Sequence, residues 1–405
     1  MTKPSAIARR SRLAAVGVGA AAVLLLGACS ASGSTAATST SEAAALPTAS
    51  AAAARPPAPE GQLPAALQDQ LQAALEKVMT TYAVPAAAAG VWIPGEGSWT
   101  TAAGLADVDG AVPVTTDMTW PIRSITKSYT VTMLLQLADE GALSLDDTID
   151  QYVDGVTDGD TITLLELANM SSGNADYVTQ EFVDDFSADP TKIYTLADLN
   201  SFVLGKPAQF APGTEYRYTN ANTNLLGAVI EKVTGQSYAD ALEERILRPL
   251  GQSGTRYLSD VADWTGPHPV GYIVADGVPQ AQTENPSILG PAGGLFSTLD
   301  DGRVWAQTLA TGALLEPATQ ELRQVGHPIP KPPYDRYAVG MGETDGWWGH
   351  NGEGVGFTAA TFHDNATGAS IVVYMNESNV ADAHPADAAF RTLAGVLAER
   401  ADQAG

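Results

Sequence analysis

The chain has 405 residues, 45% of them hydrophobic, a formal net charge of −25 and one cysteine. The acidity argues against a nucleic-acid-binding surface, which needs clustered Lys and Arg, and a lone cysteine excludes an intramolecular disulfide. With no internal repeat and no mid-chain linker, one large domain behind an N-terminal segment is expected.

Residues 1–28 begin with Lys3, Arg9, Arg10 and Arg12 and continue as an unbroken Ala/Val/Leu/Gly run from 13 to 28. A basic start, an apolar stretch and small residues at a cleavage point describe an export signal. Leu26-Gly-Ala-Cys29 resembles a bacterial lipobox, which implies a lipidated Cys29 at the mature N-terminus, on the outer face of the cell membrane. Arg9-Arg10 leaves the export route open between the general and twin-arginine systems. Residues 29–61 are mostly Ala, Ser, Thr, Pro and Gly, too poor in large apolar side chains to fold, and are expected to form a disordered tether ahead of a domain at 62–401.

That domain opens with a helix pattern at 67–82 and two strand patterns, 86–93 and 98–104, joined by the hairpin signal Pro94-Gly-Glu-Gly97. Next comes Ser124-Ile-Thr-Lys127, at the head of an apolar helical run that stops at Gly141. A serine hydroxyl is a poor nucleophile near neutral pH and needs a base; a lysine three residues on shares its helix face. At a helix N-terminus, free N–H groups and the dipole also favour developing negative charge. The middle of the chain, about 124–320, reads as helices and loops. It holds Tyr218-Thr-Asn220 in a Pro/Gly-opened loop before a helix at 225–233.

Strand patterns return at 336–342, 346–349, 355–363 and 369–376, with His350-Asn351-Gly352 between the second and third, and a closing helix at 387–400. Strands from both ends with helices between them predict an α+β fold. One antiparallel five-stranded sheet is flanked by the terminal helices, and a mainly helical subdomain is inserted.

Ser124-x-x-Lys127, Tyr218-x-Asn220 and His350-x-Gly352, in this order and spacing, resemble the serine penicillin-recognising hydrolases. The nearest group is that of class C beta-lactamases, D-alanyl-D-alanine carboxypeptidases and related esterases. The resemblance covers about 62–400 and extends to the stretch 291–298, PAGGLFST. It implies a beta-lactamase/transpeptidase-like fold with His350 on a sheet edge facing the Ser124 helix. It also implies an acyl-enzyme on Ser124, with Lys127 as base and Tyr218 doing acid/base work, as a phenolate if held beside the ammonium. Asn220, His350, Asn351 and Gly352 would bind substrate, and the backbone N–H groups of Ser124 and Glu353 would receive the oxyanion.

Two departures bear on substrate. His350 stands where typical beta-lactamases carry a lysine, which favours a peptidase or esterase. Asn351 replaces the usual Thr or Ser, and Gly342-Glu-Thr-Asp345 lacks the arginine some D-Ala-D-Ala peptidases use for the substrate carboxylate. The expected function is D-alanyl-D-alanine carboxypeptidase-like action on peptidoglycan stem peptides. The alternatives are hydrolysis of small esters or amides, weak class C beta-lactamase activity, or a non-catalytic penicillin-binding sensor. No metal or other cofactor is expected: His268, His327, His363 and His384 lack ligand spacing and read as surface or loop residues.

Overall fold

The computed structural model describes residues 55–275, 277–329, 333–378 and 384–404. The export signal at 1–28, Cys29 and residues 30–54 of the tether lie outside the described residues.

Helix α1 (Ala65–Tyr82) buries Leu67, Leu71, Leu75 and Val78, a single stripe at helical spacing, and ends at Ala83 in the left-handed region, φ 56°. Its stripe packs with α5 (Pro385–Ala404) on one face of a nine-stranded antiparallel sheet. The strands are β1 (Ala86–Ile93), β2 (Gly97–Asp107), β3 (Val112–Pro113), β4 (His327–Pro328), β5 (Arg336–Tyr337), β6 (Gly342–Thr344), β7 (Trp347–Gly354), β8 (Phe357–Asp364) and β9 (Ser370–Met375). Their order is β3-β2-β1-β9-β8-β7-β6-β5-β4.

The alternation of β1 shows why the sheet is covered on both sides. Ala87, Ala89 and Val91 face the α1 and α5 side chains, whereas Ala86, Ala88 and Trp92 face a second core. That core holds α2 (Thr126–Asp139) and α4 (Leu299–Thr311), with Tyr129 of α2 stacked on Trp305 of α4 at 3.6 Å. Every residue of α2 from Thr126 to Leu137 is buried, so this helix is a central pillar and not an amphipathic surface element. Beyond it lies the inserted helical subdomain, including α3 (Asn220–Thr234), which Gly235 ends in the left-handed region at φ 68°.

Nine strands replace the expected five. The five long strands β1, β2, β7, β8 and β9 carry the sheet; β3, β4, β5 and β6, of two or three residues each, extend its edges. The expected strand at 336–342 is two of these short strands folded on each other, Arg336 opposite Glu343, across a turn that contains Gly340 at φ 71°. The middle of the chain is also less purely helical than expected. It contributes to two small sheets, one joining Trp120–Pro121, Leu295–Ser297 and Arg256–Tyr257, the other pairing Gly271–Ala275 with Val278–Gln282.

Residues 55–61 are not free tether. Arg55 pairs with Asp300 at 2.5 Å and Asp301 at 2.9 Å in the acidic first turn of α4, and Arg303 donates to the Pro56 carbonyl at 3.0 Å.

Candidate active site

Ser124 sits in a one-turn 3-10 helix, Arg123–Ile125, that runs directly into α2. Arg123 is held at φ 52°, in the left-handed region where a non-glycine residue is strained. Its guanidinium makes a buried ion pair with Glu284, donates to the Val355 carbonyl at 2.8 Å and lies 5.3 Å from the centre of the Phe357 ring. Burial pushes the Glu284 carboxyl up, against the opposing pull of Arg123. The strained turn that presents the nucleophile is thus clamped to the end of β7 and the start of β8.

Lys127, one turn on, is fully buried. Its Nζ donates to Ser124 Oγ at 2.9 Å, Asn220 Oδ1 at 2.8 Å and the Ala292 carbonyl at 2.8 Å, so all three ammonium protons have acceptors. Burial lowers its pKa from 10.5 to about 7, with the Asp176 carboxylate pulling the other way. At neutral pH a large fraction of the side chain is therefore the free amine, as a base for Ser124 must be.

Asp176 belongs to no sequence motif, yet it organises this side of the site. Its carboxylate accepts from the backbone N–H of Asn220 and of Ala221, both at 3.3 Å, at the N-terminus of α3, and from Asn220 Nδ2 at 3.2 Å. A carboxylate at a helix N-terminus is favourable, and here it also turns the Asn220 oxygen toward Lys127.

Tyr218 shares a hydrogen bond with Ser124, and Lys127 Nζ lies 5.0 Å from the centre of its ring. Burial pushes the phenol well above its usual pKa of 10, only partly offset by the Ser124 hydrogen bond. A pKa held up in this way favours the protonated phenol over the phenolate that the resemblance allows for, because burial disfavours the anion.

β7 passes straight through the His-x-Gly motif, where the sequence pattern suggests a break between strands. Beyond Gly349 the strand outruns its pairing with β6, leaving residues 350–354 as a local edge. The Asn351 N–H points off this edge, donating to Tyr334 Oη at 2.9 Å; Glu353, two residues on, shares that phase of the strand. A Cβ on Gly352 would lie 2.3 Å from the Ile122 carbonyl and 3.0 Å from the Ser124 nitrogen. Only glycine lets the strand approach so closely, and the approach brings the Ser124 and Glu353 backbones together around one small space.

His350 corrects its expected place in the substrate site. It is 1% exposed and does not line the cleft. Its Nδ1 donates to the Asn351 carbonyl at 2.5 Å and its Nε2 lies 3.2 Å from Tyr337 Oη, with its ring 6.4 Å from that of Tyr218. Burial lowers its pKa to about 3, so it is a neutral ring supporting Tyr218 from behind.

The cleft has a volume of about 850 Å³, and Ser124, Tyr218, Asn220, Asn351 and Glu353 all line it. Its far wall adds residues that sequence reasoning missed: Tyr334, His384, Asp387 and Arg391. His384 is a loop residue, as expected, and lines the cleft, whereas His363 is buried on β8, its Nδ1 2.8 Å from Ser370 Oγ.

A family model described as Beta-lactamase matches residues 71–396. D-aminopeptidase from Brucella anthropi is 34% identical over 160 residues, 39% of this chain and 30% of that protein, so the match spans less than a third of that relative's length. Among solved structures, a D-stereospecific amidohydrolase from Streptomyces sp. aligns with TM-score 0.68 at 29% identity, over 76% of this chain and 94% of its own. D-amino acid amidase from Ochrobactrum anthropi SV3 aligns with TM-score 0.73 at 23% identity, over 84% of this chain and 100% of its own, a likeness of fold.

Proposed function

The chain belongs to the beta-lactamase family and is a serine hydrolase, and from that premise we propose that it cleaves amide and ester bonds on the carbonyl side of a D-configured residue, through an acyl-enzyme on Ser124. The observation that carries this reading is Lys127: a fully buried amine with a pKa of about 7, 2.9 Å from Ser124 Oγ.

In this reading neutral Lys127 takes the Ser124 proton as Oγ bonds to the substrate carbonyl carbon. The negative charge that develops on the carbonyl oxygen is received by the Ser124 and Glu353 N–H groups. The protonated Tyr218 phenol donates to the leaving nitrogen or oxygen as its bond to carbon breaks, and water then releases the acyl group by the reverse transfers. Asn220 orients Lys127, and His350 supports Tyr218. A non-catalytic sensor would need neither the lowered lysine nor the tyrosine bonded to the serine. The preference for D-configured substrates draws support from the D-aminopeptidase and D-stereospecific amidohydrolase relatives.

Carboxypeptidase action on cell-wall stem peptides is one member of this class and would need a cation for the substrate's free carboxylate. Arg391, the arginine among the described cleft residues, spends Nε on Asp387 at 2.9 Å and Nη2 on the Pro333 carbonyl and Thr344. Cleavage of small D-amino acid amides and esters is therefore the better-supported member. Parallel assays of D- and L-alanine p-nitroanilide and of a D-Ala-D-Ala peptide test this; equal rates on the two enantiomers would refute it.

We also place the enzyme outside the cell, held to the membrane through lipidated Cys29, on the strength of the basic and apolar leader that precedes it. Cys29→Ser should move the protein from the membrane to the soluble fraction, and retention of the variant would contradict the anchor.

A further inference from the structure

A second cavity, of about 180 Å³, reaches the nucleophile turn through Arg123, and none of the residues that line it lines the cleft. Its walls are aromatic and fixed. The Trp264 ring packs 4.7 Å from that of Phe296 and 5.9 Å from that of Phe357, and it stacks on the exposed His268 ring at 4.2 Å. Its Nε1 donates to Thr119 Oγ1 at 2.8 Å, which sets the orientation of the indole. Rings held in this way offer preformed apolar faces, so little ordering opposes a bound ring. The polar part of the lining is the Arg123–Glu284 pair, 2% and 8% exposed. Arg123 Nη1 meets Glu284 Oε1, and Nη2 donates to the Val355 carbonyl at 2.8 Å. Arg123 Nε and Glu284 Oε2 have no hydrogen-bond partner among the described residues. Native interiors rarely leave such groups unpaired, and here one donor and one acceptor remain on two paired neighbours.

Volume and charge limit what can complete them. A cavity of about 150 Å³ is enough for benzene, whereas pockets for drug-sized ligands begin at about 300 Å³, so one ring fits and a peptide does not. Arg123 and Glu284 cancel, and the other titratable side chain among the described lining residues is the exposed His268, so the site favours neither a cation nor an anion. One small group that both donates and accepts, carried on an apolar ring, matches the two open atoms and the aromatic walls. A hydroxyl is such a group.

We infer that this cavity is an effector site for a neutral, single-ring hydroxyarene, whose hydroxyl donates to Glu284 Oε2 and accepts from Arg123 Nε while its ring lies against Trp264, Phe296 and Phe357. The consequence falls on Ser124. Arg123 is held at φ 52°, and a Cβ on Gly354 would lie 2.9 Å from its Nε, so its side chain is packed against the end of β7 with no slack. A ligand that draws the guanidinium toward the cavity shifts the turn that carries Ser124 against the β7 edge, and a misplacement of about 1 Å is enough for a large loss of rate. The effect on rate rests on Ser124 being the nucleophile, as proposed above; the binding itself does not.

The test is a fluorine NMR titration of the full-length protein with 4-fluorophenol, neutral at pH 7, and with fluorobenzene, which lacks the hydroxyl. Both are repeated on protein whose Ser124 has been blocked with a fluorophosphonate, and the rate of that labelling is measured with and without 4-fluorophenol. Saturable binding of 4-fluorophenol with a Kd of about 1 mM or tighter is expected, on free and blocked protein alike. Fluorobenzene should bind at least 10-fold more weakly, saturating 4-fluorophenol should slow labelling at least fivefold, and Val270→Phe, which fills the cavity, should abolish binding. Absence of saturable binding, equal binding of fluorobenzene, or binding retained in a folded Val270→Phe overturns the inference. Loss of binding on the blocked protein overturns it too, since the probe then sits in the cleft, and an unmoved labelling rate removes the effector role. If Ser124 cannot be labelled at all, the proposed function falls, and the two titrations still decide whether the site exists. The wild-type titrations decide this even where Val270→Phe fails to fold.

Discussion

Lys127→Met should make the protein inactive and, at low pH, more tolerant of denaturant relative to wild type than it is at high pH. The lysine pKa is 10.5 in the unfolded chain and about 7 in the folded one. At ~1.4 kcal/mol per pH unit, burying the charged form costs roughly 5 kcal/mol. The sign follows from proton counts. Between about pH 7 and 10.5 the unfolded chain holds a proton that the folded protein has released, so stability rises with pH across that window; below it the full penalty applies. Methionine has no such term. The stability of wild type minus that of Lys127→Met should therefore grow by roughly 2.5 kcal/mol between pH 6 and pH 9. Urea unfolding of both proteins across that range measures the difference, and groups common to both cancel. Lost hydrogen bonds to Asn220 Oδ1 and the Ala292 carbonyl add a constant offset that does not alter the trend. A pH-independent difference would show that Lys127 keeps an ordinary pKa, and the base in the proposed reaction would have to be another group.

Asp176→Asn removes the carboxylate that raises the Lys127 pKa, so the acid limb of the kcat/KM profile, near pH 7 in wild type, should move to lower pH. An unmoved or raised limb would contradict this. Gly352→Ala places a methyl group 2.3 Å from the Ile122 carbonyl. The β7 edge must then shift from Ser124, and kcat should fall by roughly 100-fold, since a displacement of about 1 Å is enough for that loss; near-wild-type kcat would mean the edge does not receive the oxyanion. Glu284→Gln leaves the buried Arg123 cation without its anion and should cost about 3–5 kcal/mol in denaturant unfolding; a neutral variant would show that the clamp is dispensable.

Much of the site is legible in the amino-acid sequence because its chemistry is local. Ser124 and Lys127 are three residues apart on one continuous helical run, and the long strand at 86–93 carries a continuous apolar pattern. The four edge strands of two or three residues have no period to detect. β7 is hidden for a different reason: Gly349, Gly352 and Gly354 have poor strand propensity, and it is the need for close approach to Ile122 and Ser124 that selects glycine at 352. Asp176 lies in a loop 44 residues from Asn220, a distance no local pattern spans. Asp387 and Arg391 look like an ordinary surface pair at i,i+4, and only the packing of α5 beside Tyr334 reveals them as a cleft wall. The motif locates His350 beside the Ser124 helix but not its environment, since burial among tyrosines is a tertiary property.

The most direct test of the central claim is to quench a reaction with D-alanine methyl ester in acid and weigh the intact protein, then map the modified peptide. A mass increase of one D-alanyl group on the peptide containing Ser124, absent in Ser124→Ala, is the predicted result. Turnover that survives in Ser124→Ala, or an acyl group carried by another residue, would contradict it.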